Sequence, residues 1–198
     1  MEQIVELPKP DLKGTVTLEK AIAERRSRRD FLPDKVSVQE LGQLCWAAQG
    51  QHPGSGFRTV PSAGATYPLE LFVVAEDGFH HYLPARHALE KLKGDDLRKS
   101  LSSAAWGQGF VDEAPLTLLI AAEFERTARR YGERGVRYVY MEAGHVAQNV
   151  HLQAQALGLG SVAVGAFDDA SVAKVLSLPG NLEPVYMIIV GHCRKFRT

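Results

Sequence analysis

Arg25-Arg26-Ser27-Arg28-Arg29-Asp30-Phe31 sets four guanidinium groups around one hydroxyl within five residues. Arginine forks stay charged and pair bidentately with phosphate or carboxylate, so such a cluster suits a multiply charged anion better than lysines would. The same residues also read as a solvated helix end complementing the helix dipole. Pro61-Ser62-Ala63-Gly64-Ala65-Thr66-Tyr67-Pro68 is a run of small residues between prolines. It lets backbone approach a flat ligand, with amides and the Ser62 hydroxyl as hydrogen-bonding groups, or it is a turn before a strand. Ser161-Val162-Ala163-Val164-Gly165-Ala166-Phe167 and the basic tail Arg194-Lys195-Phe196-Arg197 form a third pair of segments. Their other reading is a small-residue packing site and a charged C-terminus.

Other chemistries fit the residues poorly. His145 and His151 are six apart on one helical segment, on different faces, and His80 and His81 are adjacent in a strand pattern. Neither pair has metal-ligand spacing, and no metal is expected. Gly158-Leu159-Gly160 with Gly165 follows a helix and lacks the third glycine of a dinucleotide fingerprint. There is no Walker loop and no Gly-x-Ser-x-Gly elbow.

The 198-residue chain is 45% apolar and 23% charged with zero formal charge, ordinary for a globular domain. No global charge points to nucleic acid or an anionic membrane. Apolar runs fall short of the roughly 20 residues of a membrane helix, and the N-terminus lacks the basic and apolar regions of a secretory signal. With only Cys45 and Cys193, far apart, a reducing cytoplasm is the expected location.

Residues 1–16 read as an arm ordered against a partner, and 17–198 as one domain. Thr17 caps a helix with Leu18, Ala21 and Ile22 on its apolar face, and continuing that face reaches Arg25 and Arg26. Ser37-Val38-Gln39-Glu40 fits a capping box opening a helix to about Gln49. A strand over 69–76, a turn at Asp77-Gly78 and a strand over 79–83 form a hairpin. A helix spans 95–106, a buried strand 116–122, and a charged helix 123–130. The longest periodic helix covers 136–157 and stops at Gly158. A short strand or loop at 161–167, a helix capped by Asp169 and a strand over 184–191 complete the chain. Strands and helices grouped without regular alternation indicate an α+β fold.

The arginine segment resembles the Arg-Arg-Ser-x-Arg-x-Phe opening of the FMN-dependent nitroreductase superfamily. Trp46-Ala47-Ala48-Gln49-Gly50, Arg58 to Ala65 with Tyr67-Pro68-Leu69-Glu70, and Glu142 to Asn149 are similar to its SagB-type branch. Gly158-Leu159-Gly160-Ser161 and Gly165-Ala166-Phe167-Asp168 continue the match in order, from about Ala21 to Gly191.

The resemblance implies an α-β sandwich with a mainly antiparallel sheet, built as an intertwined homodimer with two FMN sites at the interface. By this likeness Arg25, Arg26, Ser27 and Arg29 contact the phosphate, ribityl chain and pyrimidine edge, and Arg194 or Lys195 adds a phosphate contact. Pro61, Ser62, Ala63 and Gly64 line the flavin from the other subunit. Ala163, Val164, Gly165 and Ala166 run along the ring, with an amide near Gly165 donating to N5. Gln148 and Asn149 are candidate hydrogen-bonding groups nearby. Chemistry is then two-electron transfer at N5 with no catalytic side chain, from NADH or NADPH to a small nitro, quinone or enone acceptor. Oxidation of azoline rings in peptides and a non-catalytic flavin-binding module are the alternatives.

Overall fold

Three strand segments, Leu69–Ala75, Leu116–Ala122 and Glu183–Gly191, are almost unbroken in apolar character, as expected of strands covered on both faces. The computed structural model describes residues 3–52 and 54–194 and bears this out. In chain order the elements are β1 (Gln3–Glu6), α1 (Leu18–Glu24), α2 (Val38–Gln49), a 3-10 turn (Ala63–Ala65), β2 (Leu69–Ala75), β3 (Gly78–Leu83) and β4 (Ala88–Lys93). There follow α3 (Arg98–Ala104), α4 (Gly109–Glu113), β5 (Leu116–Ala122), α5 (Phe124–Tyr131), α6 (Arg134–Ala156), β6 (Gly160–Val164), α7 (Asp169–Leu176) and β7 (Glu183–Gly191).

Among the described residues the strands form one seven-stranded sheet, ordered β1-β4-β3-β2-β5-β7-β6, with every ladder antiparallel. Strand alternation sends Leu71, Val73, Leu118, Ile120, Ile188 and Val190 to one face, where they meet Leu44 of α2 and Val139, Val146 and Val150 of α6. Phe72, Val74, Leu119, Met187 and Ile189 take the other face, against Leu101 of α3, Val111 of α4 and Val172 and Leu176 of α7. The result is an α+β sandwich with the sheet as its middle layer.

Local signals set several boundaries. Thr17 caps α1, its hydroxyl accepting from Lys20 N–H, and Ser37 and Glu40 form the reciprocal box at α2. α6 stops where Gly158 takes φ +75°, and α7 is capped by Asp168, one residue earlier than expected.

Elsewhere the structure departs from expectation. Within the 1–16 segment expected as an arm ordered against a partner, Gln3–Glu6 pair with β4 as an edge strand of the chain's own sheet. β4 itself was not anticipated. The helix expected over 95–106 is shorter, ending before Trp106, and α4 follows as a separate turn of helix. Among the described residues no helix is long and apolar enough to cross a membrane.

Candidate functional site

α1 ends at Glu24, and Arg25 is its C-cap with extended backbone (φ −55°, ψ 126°), so the arginines do not continue the helix face. The chain instead runs along β6. Ser27 bridges Ser161, and Arg28 N–H donates to Ser161 O at 3.0 Å. Gly160 is required at this junction, because a Cβ there would collide with Cys193 Sγ and the Arg28 side chain. Arg26 Nη1 donates to Ala23 O (2.9 Å) and Arg25 O (2.7 Å), and the Arg29 guanidinium lies over the Phe110 ring, 5.5 Å from its centroid. Arg86, Arg98, Arg126 and Arg129 each have a carboxylate partner. Among the described residues Arg25, Arg26 and Arg29 have none. A cluster of uncompensated cations beside an exposed hydroxyl, Ser27, is the donor set that a dianionic phosphate needs.

The end of β6 adjoins this cluster. Ala163 is half-buried, Val164 buried, and Gly165 and Ala166 exposed, with the Tyr186 ring behind Gly165. Gln108 Nε2 donates to Ala166 O at 2.9 Å and so ties the Trp106–Phe110 turn to the same rim. Trp106 is 71% exposed and held at φ +61°, in the left-handed region that disfavours a bulky side chain. Beneath the arginines, buried His151 places Nδ1 2.7 Å from Ser161 Oγ. Burial, with the Arg25 charge adding to it, pushes the imidazole down to about 4. Arg194 is exposed and follows Cys193, whose sulfur abuts Gly160. Lys195 and Arg197 lie outside the described residues.

The Pro61–Gly64 segment lies elsewhere. Pro61 and Gly64 are exposed, Ser62 and Ala63 half-buried. Gly64 takes φ +60°, its carbonyl accepts from Arg130 Nη1 at 3.2 Å, and a Cβ there would stand 2.7 Å from Tyr131 Oη. Ser62 Oγ accepts from Tyr67 N–H at 2.9 Å. Behind the loop, Arg58 Nη1 donates to Gln49 Oε1 (2.7 Å) and Leu69 O (3.0 Å), its guanidinium stacked over Tyr67. Glu142 of α6 is 3% exposed, and burial raises its carboxyl to about 7 against the opposing influence of the Ser62 hydroxyl and Arg58. Among the described residues its Oε1 and Gln49 Nε2 are buried without a hydrogen-bond partner.

The structure therefore joins Arg25, Arg26, Ser27, Arg29, Ala163 to Ala166 and Arg194 on one side of the chain. It does not bring Pro61, Ser62, Ala63 and Gly64 to them. The Ser62 hydroxyl influences Glu142 of α6 and the Arg25 charge influences His151, nine residues further along the helix, a rise of about 13.5 Å. Gln148 is exposed, whereas Asn149 Nδ2 donates to Ala47 O at 3.1 Å. Sequence reasoning passed over Glu142 and Gln108 as individual residues, and considered His151 only to set it aside as a metal ligand. The signal for Glu142 was a carboxylate within the apolar stripe Val139–Ala143–Val146. His151 and Gln108 had no such signal.

At the end of a small-residue strand of this antiparallel α+β sandwich, the arginine cluster offers donors of the kind an anionic group needs. The chain belongs to the nitroreductase family, whose model matches residues 22–192. It is 44% identical over 184 residues, 90% of this chain and 92% of the other, to a Methanocaldococcus jannaschii protein assigned to the nitroreductases. It is 30% identical over 157 residues to the microcin B17-processing protein McbC of Escherichia coli, covering 73% of this chain and 58% of McbC, a likeness that supports the SagB-type branch. The FMN reductase [NAD(P)H] of Bacillus subtilis is 23% identical over 187 residues, 87% of this chain and 64% of the other. A crystal structure from Ralstonia eutropha, likewise assigned to the nitroreductases, superposes with a TM-score of 0.88 at 29% identity, covering 98% of this chain and 90% of that one. The protein is a flavin-dependent oxidoreductase.

Proposed function

We propose that the chain binds FMN at the arginine face and reduces a small organic acceptor, nitro-, quinone- or enone-like, with NADH or NADPH as donor. The observation that carries this reading is the set of three arginines, Arg25, Arg26 and Arg29, without carboxylate partners among the described residues, beside the open end of β6. When bound, the flavin supplies two-electron transfer at N5.

The chain's own residues hold and tune it. Arg25 and Arg26, with Arg194 or Lys195, neutralise the phosphate, while Ser27 donates to the phosphate or ribityl oxygens. Arg29 supplies positive charge at the pyrimidine edge, where negative charge develops. Ala163, Val164, Gly165 and Ala166 offer a flat backbone surface with an amide donor near Gly165. No side chain need act as nucleophile.

Pro61, Ser62, Ala63 and Gly64 reach the site from a second copy of the chain. The separation of the two segments along α6 supports a shared site. So does the exposed stripe Tyr140, Met141, Gly144 and Gln148 on α6, continued by exposed Leu18 and Ile22 on α1. Gly144 has open space above it, which lets another helix approach closely.

Purified protein is expected to be yellow, to release FMN on denaturation, and to bleach anaerobically with NADH or NADPH. Arg25→Ala with Arg26→Ala removes two charge-assisted contacts of about 1.5–3 kcal/mol each and should weaken FMN binding at least about 100-fold. Unchanged affinity would remove the assignment. The likeness to McbC supports a second reading, FMN-dependent oxidation of azoline rings in a peptide. Flavin that resists both nicotinamides but is reduced by an azoline peptide would select it.

A further inference from the structure

The hairpin of α5 and α6 carries a second group of arginines, apart from the face assigned to the FMN phosphate. Arg129 is neutralised by Glu125, its Nε 3.4 Å from Oε1. Arg130, Arg134 and Arg137 are exposed and, among the described residues, have no carboxylate partner. Glu133 is the opposing charge in this stretch; it is exposed and forms no ion pair among the described residues. α6 opens with no acid in its first turn, where the helix dipole gives a cation no support. A face kept only for solubility mixes both signs, as Glu125 and Arg129 do, whereas 130–137 sets three arginines against one glutamate.

Packing gathers these side chains at one corner. The Arg130 guanidinium lies over the Tyr131 ring, 5.5 Å from its centroid, and Tyr131 meets Tyr138 edge to face at 5.2 Å. Arg134 stands one turn before Tyr138, and Arg137 is its neighbour on the same helix surface. Gly135 lets the two helices close, since a Cβ there would stand 3.0 Å from Ala128 N. The corner abuts the Pro61–Gly64 wall. Arg130 Nη1 donates to Gly64 O at 3.2 Å, and a Cβ on Gly64 would stand 2.7 Å from Tyr131 Oη. Arg137 also lies one turn before Tyr140 and Met141 of the exposed α6 stripe.

We propose that Arg134 and Arg137, with Arg130 at the wall, receive the 2′-phosphate of NADPH and so make this chain select NADPH over NADH. The proposal rests on the reading that the Pro61–Gly64 wall lines FMN and that a nicotinamide is the donor. The two nicotinamides share the same reacting ring and differ in one phosphate on the adenosine ribose. Only cations set away from the flavin ring can tell them apart, and guanidinium forks suit a phosphate. Arg25, Arg26 and Arg29 are engaged by FMN in that reading and are not available to the donor.

FMN-loaded protein is mixed anaerobically with NADPH or NADH, and flavin bleaching is followed by stopped flow. Wild type should half-saturate with NADPH at a concentration about tenfold or more below that for NADH, the combined worth of two or three exposed charge pairs. Arg134→Gln with Arg137→Gln should raise the NADPH value about tenfold while the NADH value and both limiting rates stay in place. Neither side chain has a partner among the described residues, so the fold does not depend on them. Arg129→Gln, which removes the paired arginine of the same hairpin, should leave the selectivity unchanged. A readout without turnover is calorimetric binding of adenosine 2′,5′-bisphosphate to FMN-loaded protein. Its affinity should exceed that of AMP in wild type and fall to the AMP level in the double variant.

Equal half-saturation by the two nicotinamides in wild type overturns the proposal. So does a double variant that keeps its preference, or one that loses NADH and NADPH alike. Each of these results leaves the FMN assignment standing. Protein that retains FMN but is bleached by neither nicotinamide overturns both this proposal and the donor assignment. Protein that retains no FMN removes the cofactor reading beneath it.

Discussion

Two buried groups on α6 should give this protein opposing pH dependences that hide each other. His151 titrates near 4 in the folded protein against about 6.5 when unfolded, because burial and Arg25 disfavour its charge. Between those values the unfolded chain binds the extra proton, so stability is full above about pH 6.5 and falls as pH drops toward 4. Glu142 titrates near 7 in the folded protein against about 4.5 when unfolded. There the folded protein binds the extra proton, so stability is full below about pH 4.5 and falls as pH rises toward 7. Each span is about 2.5 pH units, or about 3 kcal/mol at 1.36 kcal/mol per unit. Over roughly pH 4.5–6.5 the two slopes, each near 1.4 kcal/mol per pH unit, cancel. Urea unfolding of flavin-free protein at fixed protein concentration, measured across this window, isolates each group by difference. Glu142→Gln should gain on wild type steadily with pH, reaching about 3 kcal/mol by about pH 8. His151→Gln should lose ground to wild type over about pH 4–6.5 by a similar amount. A Glu142→Gln curve parallel to wild type throughout would refute the reasoning, since it would mean that the carboxyl titrates as a solvated acid.

Ser37→Ala removes the reciprocal cap of α2 and should cost about 1 kcal/mol in the same unfolding assay. Gly160→Ala forces a methyl against Cys193 Sγ and Arg28, so it should destabilise by about 1–3 kcal/mol and weaken FMN retention by displacing the arginine strand. Gly144→Arg, at the open centre of the exposed α6 stripe, should convert a dimer to a monomer in size-exclusion chromatography with light scattering and cost FMN binding in parallel.

What could be read from the sequence follows from how local its cause is. The β5 strand, the Ser37–Glu40 box and the glycine stop of α6 are set by residues within a few positions of one another, and each appears where expected. β4 was invisible because Ala88-Leu89-Glu90-Lys91-Leu92-Lys93 consists of good helix formers. Pairing with β3 on one side and β1 on the other overrides that preference. The arginines were expected on a helix face, but their backbone leaves the helix at Arg25 to run beside β6, a long-range contact that no local signal announces. The protonation behaviour of Glu142 depends on its burial and on Ser62 and Arg58, brought to it from a distant segment, so only the folded chain displays it.

α6 carries a residue of the Pro61–Gly64 cluster at one position and a residue of the arginine face nine positions later. An insertion of one residue between Glu142 and His151 would turn one end against the other by about 100° and lengthen the rod by about 1.5 Å. Both faces would lose register together. Divergence within this lineage should therefore accumulate as length changes in the segments before and after α6, and as substitutions but not insertions within it. The helix sets a fixed gauge against which the rest of the chain is free to vary.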